Sequence, residues 1–117
     1  QCTLINYSND PMFSDLKNSR NLLKLKEYLN NTTKIGTAKN LRKLELNGQR
    51  IFNNDSKLYA KTGTSDGINH HSLIVFGNEK YSYGIFLYNK KRGVHAKYLA
   101  EKLILYVKSL CPEFINE

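Results

Sequence analysis

Leu58-Tyr59-Ala60-Lys61-Thr62-Gly63-Thr64-Ser65-Asp66-Gly67 decides how this chain is read. From Lys57 onward the apolar residues follow the short period of strands rather than the longer one of helices. Leu58 to Thr64 reads as a strand, and Ser65-Asp66-Gly67-Ile68-Asn69 as the loop after it. A strand carrying a lysine, a glycine and three hydroxyls in this order makes an edge suited to an anion. Lys61 supplies charge, Thr62, Thr64 and Ser65 supply donors, and Gly63 lets a ligand or another backbone approach closely.

Downstream the pattern repeats. Ser72-Leu73-Ile74-Val75-Phe76 is a continuous apolar run, as in a strand covered on both faces. Gly77-Asn78-Glu79-Lys80 reads as a hairpin connection and Tyr81 to Tyr88 as the next strand. Asn89-Lys90-Lys91-Arg92-Gly93 is a basic turn. Ala96, Leu99, Ala100, Leu103, Val107 and Leu110 then trace one face of a helix that stops before Pro112. Short connections make neighbouring strands antiparallel, so the expected class is α+β: an antiparallel sheet of about three strands flanked by helices. Both sheet faces are apolar, and helices are expected over each.

Upstream the reading is mainly helical. Residues 1–13 form an irregular or extended lead-in with a turn at Asn9-Asp10-Pro11. A helix is expected from Ser14, its N-cap, to Leu29, with Leu16, Leu22, Leu23, Leu25 and Leu29 near one face. Lys17, Arg20, Lys24, Lys26 and Glu27 fall on the solvated side. Asn30-Asn31-Thr32-Thr33 ends that helix, and Thr37 caps a shorter one from Ala38 to Leu46. Asn47-Gly48 is a strong turn pair, Ile51-Phe52 a short packed segment, and Asn53-Asn54-Asp55-Ser56 a loop. The chain reads as a single domain over residues 1–117, with 1–56 mainly helical and 57–117 strands plus the C-terminal helix.

With 117 residues and 40% of them hydrophobic, there is material for one core. No apolar run reaches the roughly 18 residues of a membrane span, and no signal peptide is visible. The chain starts at Gln1 and is expected to be a piece of a longer protein. The net charge of +8 favours an anionic partner: nucleic acid, anionic lipid or an acidic polymer. The cations are dispersed, however, and read first as a solvated surface. Cys2 and Cys111 are expected as separate thiols, with Cys111 on the apolar helix face; pairing would fit an exported protein. His70 and His71 point to opposite faces of a strand and His95 is remote, so no metal site is expected. Asn30, Asn31 and Asn54 stand in glycosylation contexts, relevant only to a eukaryotic secretory route.

The lysine-threonine-glycine triplet belongs to the motifs of serine β-lactamases and penicillin-binding proteins. From Gly36-Thr37-Ala38 to the C-terminal helix, the chain resembles that superfamily. Tyr59 to Gly67 looks like its third strand and following loop, Ser72 to Gly77 and Tyr81 to Tyr88 like the next two strands. The resemblance implies acyl transfer through a serine, on a cell-wall peptide ending in a carboxylate or on a β-lactam that mimics it. It implies that Lys61 and the hydroxyl of Thr62 or Thr64 face this carboxylate. The strand edge beyond Gly63 would pair with the substrate backbone, and an amide near Ser65 would help form an oxyanion hole. It also implies an extracytoplasmic location, periplasmic, cell-surface or secreted, and no metal or organic cofactor.

The chain departs from the family where chemistry matters most. A serine-x-x-lysine occurs as Ser14-Asp15-Leu16-Lys17, but too close to Lys61 for the intervening helical region. A helix N-cap is the better reading of Ser14. Ser19-Arg20-Asn21 matches the serine-x-asparagine element, yet two residues after Lys17, where the family keeps the two far apart. The family's first two strands are missing, which leaves the Tyr81–Tyr88 edge bare and in need of cover. An absent N-terminal half is the expected cover, ahead of a second chain or residues 1–10. Whether the chain is itself an enzyme stays open. Two other functions compete: a non-catalytic interaction module on the same scaffold, and an RNA-binding domain suggested by Tyr83-Gly84-Ile85-Phe86-Leu87-Tyr88. The second lacks the leading basic-glycine pair and has the wrong element order, so these aromatics are expected in the core.

Overall fold

The structure, a computed structural model, describes residues 19–111. In chain order its elements are α1 (Arg20–Lys34), α2 (Lys39–Arg42), β1 (Glu45–Leu46), β2 (Gln49–Arg50), β3 (Tyr59–Asp66), β4 (His70–Gly77), β5 (Ser82–Leu87) and α3 (Ala96–Leu110). The class is α+β: a three-stranded antiparallel sheet ordered β3-β4-β5, a separate two-stranded sheet, and flanking helices. Among the described residues no helix is long and apolar enough to cross a membrane.

The first described helix differs from the expected one. It is capped by Ser19, whose hydroxyl accepts from the Leu22 N–H at 3.0 Å, and it runs on to Lys34. The expected cap at Ser14 lies outside the described residues. The Asn30-Asn31-Thr32-Thr33 stretch does not end the helix, because its hydroxyls are used within it. Thr32 Oγ1 donates to the Tyr28 carbonyl, and Thr33 Oγ1 bonds to the Asn30 and Leu58 carbonyls. Thr33 is fully buried against the start of β3, so a tertiary contact overrides weak propensity. The buried stripe is also narrower than the leucines suggest. Leu22, Lys26 and Leu29 are half-buried, whereas Leu23 and Leu25 are exposed. Lys26, expected in solvent, reaches Glu79 at 2.7 Å.

The expected helix from Ala38 to Leu46 is a single turn, Lys39–Arg42, with no side-chain cap. The hairpin β1–β2 takes up its C-terminal part, turning at Asn47 (φ 54°) and Gly48 (φ 79°). Both central residues adopt positive φ, the requirement of the two-residue turn that suits strand twist.

The main sheet has one well-covered face. Ala60, Ile74 and Phe76 point to it and join Ala96, Ala100 and Ile104 of α3, with Ala38, Leu41, Phe52 and Leu58 completing the core. Tyr83 lies on the same face and stacks on Phe76 at 5.2 Å. Burial pushes its phenol up to about 12. On α3 the line at spacing four, Ala96-Ala100-Ile104, is the buried one; Leu99 and Leu110 are exposed. The loop from β4 to β5 is closed by Asn78, whose side-chain oxygen accepts from the Lys80 and Tyr81 N–H groups.

The opposite face is not covered as the continuous apolar runs suggested. Helix α1 packs against β3. Leu73, Val75, Phe86 and Tyr88 remain exposed, Phe86 by 60% and Tyr88 by 68%. The expectation that these aromatics sit in the core therefore holds for Tyr83, which packs against it, and fails for Phe86 and Tyr88. His71 stacks against Tyr88 at 4.7 Å and Phe86 at 5.8 Å, the three rings forming one exposed-face cluster, and its Nδ1 accepts from the Asn89 N–H. Cys111, at the end of α3, is disulfide-bonded rather than a thiol.

Candidate functional site

The sequence placed the site on β3, and the register fixes which way each of its residues faces. Lys61 stands opposite Val75, Gly63 opposite Leu73 and Ser65 opposite His71. These belong to the open face of the sheet. Thr62 stands opposite Ile74 and Thr64 opposite Ser72, on the face that carries the core. Lys61 and the two threonines are thus on opposite sides of one strand. A ligand held by both would lie along the strand edge, and β3 is an edge strand with no strand neighbour beyond it among the described residues.

Gly63 is compatible with such an approach. A Cβ built there would meet only the Leu73 side chain, at 3.6 Å, so the fold does not require glycine at this position. A requirement for the missing side chain has to come from outside the chain. On this open side the Lys61 ammonium donates to the Thr62 carbonyl. A groove of about 280 Å³ runs beside it between α1 and the sheet, floored by Leu22, Leu29, Val75 and Tyr81. Lys26 and Tyr59 both donate to Glu79 at its end. Lys26 first, then Tyr59, holds the Glu79 carboxyl below its ordinary value.

The other side of β3 is a cleft of about 170 Å³ lined by Thr37, Thr62, Thr64, Ser72, His95 and Lys97, with Leu73 at its margin. Thr37 does not cap a helix. Its hydroxyl bonds to that of Thr62 at 2.7 Å and its carbonyl accepts from Lys97 Nζ at 3.2 Å. Ser72 accepts from the Ala96 N–H at 2.7 Å, which caps α3 from a neighbouring strand while His95, at the N-cap position, makes no side-chain cap. A cation and two threonine hydroxyls therefore share this cleft. Lys97 and His95 were missed from sequence. Their only signal was a position at the start of a helix whose packing partner could not be read.

Ser14 and Lys17 lie outside the described residues. Ser19, of the serine-x-asparagine match, is occupied as the cap of α1. The Tyr81–Tyr88 segment supplies β5, and β5 has no strand on its outer side among the described residues. Among the same residues no cluster of three or more His, Cys, Asp or Glu side chains comes together. No protein-family model matches this chain, and neither a curated protein nor a solved structure shows significant similarity to it.

Proposed function

We propose that this chain is the carboxylate-holding part of a serine acyl-enzyme acting on a cell-wall peptide or a β-lactam. The supporting observation is the position of Lys61-Thr62-Gly63-Thr64-Ser65 on a strand with no outer strand neighbour among the described residues, followed by two antiparallel strands and a closing helix. In this reading the substrate adds to β3 as an extra strand, and its carboxylate meets Thr62, Thr64 and Lys97. Lys61 faces the opposite way, over the open side, where an activated serine from an absent N-terminal half would approach. That half, contributing the nucleophile and a strand beside β5, would also cover Leu73, Val75 and Phe86. The disulfide at Cys111 fits an extracytoplasmic setting.

The alternative is an interaction module on the same scaffold, in which the β3 edge binds a peptide terminus without chemistry. Two experiments separate the readings. A labelled penicillin should acylate a longer protein that carries an upstream serine-x-x-lysine, and should fail when Lys61 is replaced by alanine. A peptide ending in D-alanyl-D-alanine should shift the amide resonances of residues 61–65 in the present chain. Peptide shifts without acylation of the longer protein would leave the interaction module. Acylation unaffected by Lys61→Ala, with no peptide shifts, would remove both.

A further inference from the structure

A second set of cations gathers away from the sheet, on the short helix α2. One cleft of about 210 Å³ is lined by Lys34, Lys39, Arg42, Lys43 and Arg50, together with Thr33 and Asn54. A neighbouring cleft of about 550 Å³ shares Lys39 and Lys43 and adds Lys97, Tyr98, Asn40 and Ile35. Among the described residues no acidic side chain lines either cleft. Glu45 stands across the hairpin from Arg50, and Glu101 accepts from Asn40, so some opposite charge is near but outside. Folding gathers Lys34, Lys39, Arg42, Lys43 and Arg50 around α2 and the hairpin, and α3 brings Lys97 to them from far along the chain.

The first cleft is built around a fixed cation. Arg42 is only 5% exposed, and its guanidinium donates to Thr33, to the Asn53 carbonyl at 2.7 Å and to Asn30 Oδ1 at 2.7 Å. Those bonds hold the guanidinium in place, and its charge acts on the cleft as a field while the exposed lysines supply donors. Several cations on so small a volume suit a group with two negative charges better than a carboxylate. The second cleft has a different chemistry. Lys97 is pinned between the Thr37 carbonyl and the Tyr98 ring, 5.4 Å from its centroid. Tyr98 and Ile35 offer exposed apolar surface, and Asn40 Oδ1 is buried without a hydrogen-bond partner. That acceptor is shut off from the cleft, and the exposed Tyr98 ring and Ile35 are the surface that a ligand meets there.

We infer that the paired clefts over α2 bind a phosphate ester, with the phosphate among Lys39, Lys43 and Arg42 and its carbon skeleton against Tyr98 and Ile35. The site lies beside the Thr62–Thr64 cleft and does not depend on acyl transfer. The second cleft shares Thr37 and Lys97 with the Thr62–Thr64 cleft, so a long ligand would run from one site toward the other.

The test titrates the full chain with glucose 6-phosphate, glucose and inorganic phosphate, following amide resonances. Glucose 6-phosphate should saturate and bind at least about tenfold more tightly than either fragment, since both clefts then contribute. Shifts should centre on Lys39, Asn40, Lys43, Arg50 and Tyr98. Lys39→Glu with Lys43→Glu should weaken binding by roughly a hundredfold at low salt, while the charge-matched control Lys80→Glu with Lys102→Glu changes it less than about threefold. Both cleft lysines are exposed. Should the double variant misfold, the fragment comparison and shift map still decide. Non-saturating shifts, equal loss in the control pair, or shifts centred on His71, Phe86 and Tyr88 would each overturn the assignment. The last pattern, with single-stranded RNA binding more tightly than the sugar phosphate, would mark a nucleic-acid surface on the sheet instead.

Discussion

Thr33 is predicted to matter more to stability than the buried charge it holds. Thr33 is fully buried on α1, and Arg42 on α2 donates to its hydroxyl from Nε at 3.2 Å and from Nη2 at 2.9 Å. The same hydroxyl bonds to the carbonyl of Leu58, itself 2% exposed. Thr33→Val keeps the shape but removes these bonds. The guanidinium then keeps its charge with two donors stripped, at about 1.5–3 kcal/mol, and the Leu58 carbonyl loses a partner at about 1 kcal/mol more. The expected cost is about 2.5–4 kcal/mol. Arg42→Met is a different perturbation. It removes the ion together with its desolvation penalty, and methionine refills much of the space. Of the acceptors left behind, Asn53 is exposed and Asn30 half-exposed, so water reaches both. The expected cost is about 1–2 kcal/mol. Urea unfolding with an unchanged m-value measures both, and the double variant supplies the coupling. Arg42→Met costing more than Thr33→Val would refute the reasoning, since it would make the charge rather than the hydroxyl the keystone of the α1–α2–β3 junction.

Two glycines should separate fold from function. A Cβ at Gly77 would overlap the Tyr81 carbonyl and come within 2.8 Å of Ser82 Cα, so Gly77→Ala should lower stability by about 2 kcal/mol or more in the same assay. Gly63→Ala should cost under about 1 kcal/mol, because glycine in a strand gains little from flexibility, yet it should weaken peptide binding at β3. Ile74, fully buried at the centre of the sheet, should cost about 3–4 kcal/mol when replaced by alanine. Glu79 governs part of the acid limb. Lys26 first, then Tyr59, depresses its folded pKa, so its contribution is complete above the ordinary value of 4.5 and is lost as pH falls through the folded value. Glu79→Gln should therefore flatten the fall of stability in that range while leaving the neutral-pH slope unchanged.

Sheet order and strand identity were legible because their signals are local. The Leu58–Thr64, Ser72–Phe76 and Tyr81–Tyr88 runs each fall within one observed strand or overlap it by all but its ends. The helical half was harder, because its boundaries depend on partners far along the chain. Thr33 belongs to a helix because Leu58 and Arg42 meet it there, and no window around Asn30-Asn31-Thr32-Thr33 contains either. The Asn47-Gly48 turn was legible, but its two flanking strands have only two residues each and little period to read. Charge was read least well. Counting cations along the chain made Lys39, Lys43, Arg50 and Lys97 look dispersed, whereas folding lines them around the same pair of clefts.

The motif on β3 shows what a pattern in sequence omits. Lysine, threonine, glycine and threonine read as one anion-holding group, yet a strand sends alternate residues to opposite sides. Lys61 and Gly63 face the open sheet; Thr62 and Thr64 face α3 and acquire Lys97 as their cation. The motif is therefore two half-sites joined by one backbone. Only a ligand lying along the edge can engage both, pairing its backbone with the outer side of β3, where no strand lies among the described residues. The absence of a side chain at Gly63 then gains a reason that the fold itself does not supply, since alanine would fit there.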